Sequence, residues 1–480
     1  MTVTLNDRND FTLKALARVA LGGEDVRFTK RAEARIARAH AAFQRHVEAS
    51  RDGFIYGVTS EAGPHAAQHV SPDAVRDRQA RGIPFLGLSF GTEDWPDHAA
   101  RAAVFATLAL LIEGSTAAHP ARARSVADML RGRMPKVPAQ GLSSPGEMMA
   151  LFHLFRDIPR DSAHGHQLYL ANGAPVSAGL TGLAAIFARR RLALAERVFA
   201  LSVEAIGAPL EHYDPALKDL WGDPYEARAL DNLGALLKGA RSRDRRPYQA
   251  PVSYRILPRV LGQMHRAVAA LEEVAAVLLS ATGANPLFAA PNRRSRNGRT
   301  LSNGAFHNAA GPHALNAVAA GWVDLAGLAH RHAVKLHKGD VSMLPNRLLP
   351  DGVHYMTGRS TTYLEFVPND MVEEMRRLAQ PTLLSPAEPG ASEQDDVAAP
   401  AFAAARAEGR VAALFDMVLV VAAVSASQAL HVTDRAPPPP LRRFLRQVRD
   451  VFPPVTVRRA LGPDCAKLAA AFRREVEAAP

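Results

Sequence analysis

The chain has 480 residues, 48% of them hydrophobic, 6% aromatic and 22% charged, with a single cysteine, Cys465. This length and composition exclude wholesale disorder, a disulfide framework and any multi-cysteine metal cluster. Lys plus Arg outnumber Asp plus Glu by 58 to 47, a net charge of +11 carried almost wholly by arginine. The two short basic clusters, Arg241–Arg246 and Arg293–Arg299, lack the interleaved aromatics of a nucleic-acid surface and read as solvated loops. Met1–Asp10 is polar and lacks the basic-then-apolar pattern of a signal peptide, so a soluble cytoplasmic protein is expected.

Helical periodicity dominates. Apolar residues recur at three- and four-residue spacing over 28–49, 99–111, 180–201, 260–279, 314–336 and 399–430, predicting a long helix at each. Few stretches alternate as strands do, so the fold class is all-α. The apolar run 411–430 is long enough to cross a membrane. It contains Asp416, Ser425, Ser427 and Gln428, however, and so predicts a helix buried inside a bundle. Breaks fall at 61–64, 134–146, 241–251, 283–304, 381–396 and 436–440. The last reads as a stiff proline linker into a short helix from Leu441. These breaks suggest an N-terminal part over 1–200, a central helical bundle over 201–400 and a C-terminal helical region over 401–480.

Spacing alone gives no phosphate loop, dinucleotide fingerprint, His-Glu-x-x-His or nucleophile elbow. His153, His164 and His166 lie close in sequence, but no carboxylate or fourth ligand stands at metal spacing, so no metal site is predicted.

Seven short segments, in order, resemble the histidine/aromatic amino acid ammonia-lyase family. They are Ile55-Tyr-Gly-Val-Thr-Ser-Glu-Ala-Gly63, Val137-Pro-Ala-Gln-Gly-Leu-Ser-Ser-Pro-Gly146, Leu170-Ala-Asn-Gly173, and the stretch from Gln249 to Gly262. Asn285-Pro-Leu287, Leu301-Ser-Asn-Gly-Ala-Phe-His307 and Glu393-Gln-Asp-Asp-Val397 complete the set. The resemblance implies a long central helical bundle of the L-aspartase/fumarase type. It also implies a homotetramer whose small-molecule pockets each draw residues from three chains, with no nucleic-acid or membrane partner.

It further implies a site. Tyr56 matches the family's catalytic base, a role that requires activation, since a phenol near its usual pKa of about 10 is a poor base at neutral pH. Arg255 matches the residue that grips the substrate carboxylate, a task suited to its planar fork. Asn172 matches a substrate-orienting amide, and Gln249, Gln394 and Phe306 match residues lining the same pocket.

The family's electrophile, methylidene-imidazolone, forms by cyclising an internal Ala-Ser-Gly. The glycine nitrogen attacks the alanine carbonyl, and the serine then loses water. Here the segment is Ser144-Pro145-Gly146. Pro145 has no hydroxyl to lose, and in the register one residue earlier its ring-locked nitrogen has no hydrogen. The expectation is therefore a chain without this cofactor. Val252, Ala305, Ala62 and Ala250 depart from the family pattern in the same region. These residues predict an enzyme on the ammonia-lyase scaffold that uses Tyr56 for acid–base chemistry on a reactive, amino-acid-derived carboxylate or amide. Elimination, addition, cyclisation or isomerisation in a specialised biosynthetic pathway would suit it. The alternatives are a non-catalytic ligand-binding or scaffold protein, and an ordinary ammonia lyase with an unusual cofactor loop.

Overall fold

The computed structural model describes residues 2–50, 53–71, 73–74, 77, 88–158, 168–242, 245–350, 352–384 and 395–480. The chain opens with β1 (Thr2–Leu5), α1 (Leu13–Ala20), β2 (Asp25–Phe28) and α2 (Lys30–Ala49), followed by α3 (Asp97–Ile112), α4 (Pro120–Asp128) and α5 (Met148–Leu154). Next come α6 (Pro175–Ile206), α7 (Leu217–Trp221), α8 (Pro224–Leu236), α9 (Val252–Arg255) and α10 (Leu257–Ser280). The hairpin of β3 (Leu287–Ala289) and β4 (Arg299–Leu301) precedes α11 (Ala310–His337), α12 (Gly339–Ser342) and α13 (Val367–Leu378). Three helices close the chain: α14 (Ala401–Val432), α15 (Pro439–Val451) and α16 (Gly462–Glu477). β1 and β2 pair in parallel and β3 with β4 antiparallel; everything larger is helical, as the periodicity predicts.

All six predicted long helices are present, each within a few residues of its expected ends. The prolines near the end do not form a linker: Pro439 and Pro440 occupy the first turn of α15. Their missing N–H groups would lack helical partners there in any residue.

The bundle is built from α6, α10, α11 and α14, and side-chain pairs fix its directions. Arg191 and Glu204 on α6 meet Asp416 on α14 and Arg435 just past it, while Ser177 and Phe199 meet Asn308, just before α11, and His332 on it, so these three helices run parallel. Glu196 pairs with His265, Arg189 with Glu272, and Ser202 with Tyr254, so α10 returns antiparallel to α6. α14 is apolar and long enough to cross a membrane, but 83% of its most apolar window is buried inside the protein. It fills the bundle centre.

A second core forms where α3 lies across α6, joined by α1, α4, α5 and the N-terminal strands. Gly179 makes that crossing possible, because a Cβ there would lie 2.6 Å from the carbonyl oxygen of Ala102. Leu13 and Phe187 pack against both cores and tie them together.

Arg241 is exposed as expected, but Arg245 and Arg246 are not the solvated residues that composition suggests. Arg245 is buried against Glu204, which also binds Arg435, and donates to the carbonyl of Ala208 at 2.7 Å. Arg246 is buried as well. Their partners lie some 40 residues back in the chain, so no local pattern announces them. Arg293 and Arg294 do lie on an exposed turn.

Candidate active site

The loop before α5 is laced to the segment ahead of α3. Trp95 N donates to Val137 O at 2.8 Å, Ala139 N to Glu93 O at 2.9 Å, and Ser89 Oγ to Gly141 O at 2.8 Å. Val137 and Leu142 are buried in the second core, which pins the loop from beneath. Ser144 is extended, and its Oγ accepts from Met149 N at 3.1 Å. After Pro145 the backbone turns left-handed twice, at Gly146 (φ 58°) and at Glu147 (φ 56°). The second of these costs on the order of 1–3 kcal/mol for a residue with a side chain.

That strain is held by the Glu147 side chain. Its carboxylate, fully buried, accepts from Val176 N at 2.8 Å and Ser177 N at 3.2 Å. It thereby satisfies first-turn donors of α6 and faces the positive end of that helix. Burial nevertheless dominates and pushes the Glu147 pKa up to about 7, against the opposing pull of these bonds. The network continues: Asn308 Nδ2 donates to Ser177 Oγ at 2.9 Å, and Asn308 Oδ1 accepts from Gly311 N at the start of α11.

Asn172 sits directly on this loop. Gly173 N donates to Gly146 O at 2.9 Å, and a Cβ on Gly146 would lie 2.4 Å from Asn172 Oδ1. That oxygen is buried and has no hydrogen-bond partner. Ala174 N donates to Gly283 O at 2.8 Å, bringing in Asn285, whose Oδ1 accepts from Asn303 N. Phe306 follows on the same turn, half-buried.

Tyr56 belongs to this end of the molecule. Ile55 and Val58 bury against Phe43, Ala117 and Phe288, and Phe288 lies on β3, just after Asn285. Tyr56 Oη accepts from Gly63 N at 2.9 Å, leaving its own proton free to point elsewhere. Among the described residues, no cation lowers its pKa. Burial raises the Tyr56 pKa, the Asp395 carboxylate raises it further, and the Gly63 bond only partly offsets both. Asp395 is itself raised, by burial and by Asp396.

Arg255 lies elsewhere. On the single turn of α9, Ser253 and Tyr254 face inward. Tyr254 is fully buried and stacks on His332, with ring centroids 3.6 Å apart, and Tyr213 Oη donates to its carbonyl at 3.0 Å. Val252 and Arg255 therefore face outward, Val252 exposed and Arg255 half-buried with an unpartnered Nε. Gln249, just before them, is exposed.

Val176 and Ser202, which anchor the two regions, stand about 40 Å apart along α6 at 1.5 Å per residue. One chain thus brings Tyr56, Ser144, Pro145, Gly146, Asn172 and Phe306 to one end of the bundle, and Gln249 and Arg255 to the other. Gln394, His164 and His166 lie outside the described residues. Glu147 and Asp395 were not singled out from sequence. Glu147 directly follows the loop, but only the fold shows that its carboxylate meets α6. Asp395 stands beside Gln394 in a segment read for its glutamine.

Glu147 gives a pH signature. Its folded pKa of about 7 exceeds the ordinary value of 4.5, so the folded state binds the proton more tightly, and stability falls as pH rises through that window. Glu147→Gln removes this titration. Its melting temperature relative to wild type should climb between about pH 4.5 and 7, by the equivalent of up to about 3 kcal/mol. Parallel melting curves across that range would exclude the assignment.

A family model described as aromatic amino acid lyase matches residues 11–158 and 161–450. The chain is 26% identical to a histidine ammonia-lyase of Symbiobacterium thermophilum over 499 residues, covering 95% of this chain and 94% of that protein. It is 25% identical to a tyrosine ammonia-lyase of Cereibacter sphaeroides over 468 residues, covering 86% and 87%. Among solved structures, an ergothionase from Treponema denticola superposes with a TM-score of 0.86 at 16% identity, covering 99% of both chains. A tyrosine aminomutase from Streptomyces globisporus gives 0.84 at 21%, covering 99% and 98%.

Proposed function

Because the chain belongs to the aromatic amino acid lyase family, we propose that it is an enzyme acting on a small, amino-acid-derived carboxylate or amide without the methylidene-imidazolone electrophile. The observation that carries this reading is Pro145. The middle residue of the cyclising triplet must lose a hydroxyl, and Pro145 has none. The hydroxyl beside it, on Ser144, accepts from Met149 N. A triplet centred on Ser144 would need attack by the Pro145 nitrogen, which carries no hydrogen. The residues present do not fit the group. The loop shape is kept instead by the Glu147 carboxylate on α6 and by Gly146 against Asn172.

What remains is positioning and proton transfer. Arg255 grips a carboxylate through its fork. Asn172 Oδ1, buried and unpartnered, accepts a hydrogen bond from the substrate's amine or amide. Tyr56 enters the reaction protonated and donates, with the Asp395 carboxylate beside it to take up a proton. Such proton transfer supplies about 10²–10⁴-fold, so the substrate is already activated, and elimination, addition, cyclisation and isomerisation are the reactions open to it. With the halves of the site about 40 Å apart in one chain, the pocket forms between copies. The Arg255 end of one meets the Asn172 end of another in a homotetramer.

Intact mass tests the central claim. Ring closure and dehydration would remove two waters, about 36 Da. The expected mass is that of the unmodified sequence, and a deficit of two waters would restore the ordinary ammonia-lyase reading. One observation favours a second reading, a ligand-binding protein without turnover: among the described residues the charge that acts on Tyr56 is the Asp395 carboxylate.

A further inference from the structure

The end of the bundle that carries Arg255 holds buried hydrogen-bonding groups that the chain leaves unused. Arg246 is 8% exposed, and its Nε and Nη1 have no partner. Ser253 is 7% exposed with an unpartnered Oγ, and the Nε of Arg255 and the Nδ1 of His332 are likewise buried and alone. These groups gather about the C-terminal end of α6, where Ser202 Oγ meets Tyr254 Oη at 3.2 Å and the charge of Arg246 acts on Tyr254. Arg246 N donates to Gly207 O at 3.0 Å, just past α6, and His332 Nε2 contacts Ser253 O at 3.1 Å. Tyr254, between Ser253 and Arg255, stacks on that same histidine.

The contrast with Arg245 is instructive. Arg245 is neutralised inside the chain by Glu204. Arg246, the next residue, is buried too, and among the described residues its guanidinium meets the face of Tyr248, 5.0 Å from its central carbon, with Nε and Nη1 unpartnered. A cation–π contact offsets part of the desolvation of a guanidinium and leaves its N–H groups unsatisfied. A buried charge is retained where an opposite charge meets it.

We propose that Arg246 and Ser253 form a second anion site at this end of the bundle, filled by a carboxylate from outside the chain. One guanidinium and one hydroxyl balance a single negative charge, which suits a carboxylate better than a doubly charged phosphate. The carboxylate is either a second acidic group on the substrate or an Asp or Glu side chain of a partner subunit. Only the first source rests on Arg255 being the carboxylate grip.

Calorimetric titration of the purified full-length protein tests this, with α,ω-dicarboxylates from malonate to suberate set against monocarboxylates of equal length. Light scattering follows the assembly state. If the substrate supplies the group, one dicarboxylate binds at least about 10-fold tighter than its monocarboxylate, the yield of one charge-assisted contact. Arg246→Gln then removes the preference and Arg246→Lys keeps part of it. If a partner subunit supplies it, no dicarboxylate is preferred, and Arg246→Gln dissociates the assembly while Arg246→Lys preserves it. An Arg246→Gln protein with unchanged preference and unchanged assembly overturns the proposal. Should that variant fail to fold, Arg246→Lys and Ser253→Ala carry the same comparison. Arg255→Gln is the separate control: monocarboxylate binding that survives it removes the proposed grip while leaving the Arg246 result standing.

Discussion

Arg191→Met should unfold at a markedly lower denaturant concentration than wild type, a loss of about 3–5 kcal/mol. Arg191 and Asp416 are both almost fully buried and joined by two bonds of 2.8 and 3.1 Å between α6 and α14. The guanidinium also lies over Trp322, whose indole N–H donates to Glu408 at 3.0 Å. Glu408 is fully buried, and burial raises its pKa while the charge of Arg191 pulls it back. One arginine therefore faces two carboxylates, and its removal leaves both without a cation. Asp416→Asn strands neither, because Arg191 still faces Glu408, and should cost less than half as much. The double variant Arg191→Met/Asp416→Leu should recover most of the loss, since apolar replacement of both partners restores packing without a lone charge. Urea titrations at one protein concentration decide it; equal losses for the two single variants would show that Glu408 takes no part.

Tyr56→Phe should lower turnover of any substrate found for this protein by about 10²–10⁴-fold while changing ligand affinity only a few-fold. The ring stays in place among the Ile55 and Val58 packing, and the bond from Gly63 N is lost. The pH profile separates the two ways Tyr56 could act. Its pKa is raised, so a reaction needing the protonated phenol runs flat through neutrality and falls only at high pH. A reaction needing phenolate would instead rise tenfold per pH unit from neutrality upward. A flat profile supports donation by Tyr56, a rising one reinstates the base assigned from sequence, and unchanged turnover in the phenylalanine variant leaves the ligand-binding reading.

The six long helices were legible because each is a long run of helix-forming residues, buried along a stripe in α2 and α10 and nearly all round in α3, α6 and α14. α8 and α13, at 13 and 12 residues, span too few turns to stand out beside the long runs and were not predicted. The loop with Pro145 was legible for a different reason: the cyclisation chemistry depends on covalent groups that sequence states outright. Glu147 was not, because nothing local distinguishes a carboxylate that caps a helix 29 residues away from one in water. The same holds for Arg246, whose burial is set by the ends of α6 and α11. Sequence order also concealed how the site divides. Asn172 and Arg255 are 83 residues apart in the chain, and the turn into α10 carries Arg255 to the far end of α6.

α14 has a consequence for how the molecule is made. It is the last of the four bundle helices to leave the ribosome, and it supplies the centre against which α6, α11 and α13 pack. Until residue 432 emerges, the faces of α6, α11 and α13 that α14 covers have no counterpart to close on. The nascent chain therefore presents wide greasy surfaces for most of its synthesis, the condition under which chaperone capture and aggregation compete with folding.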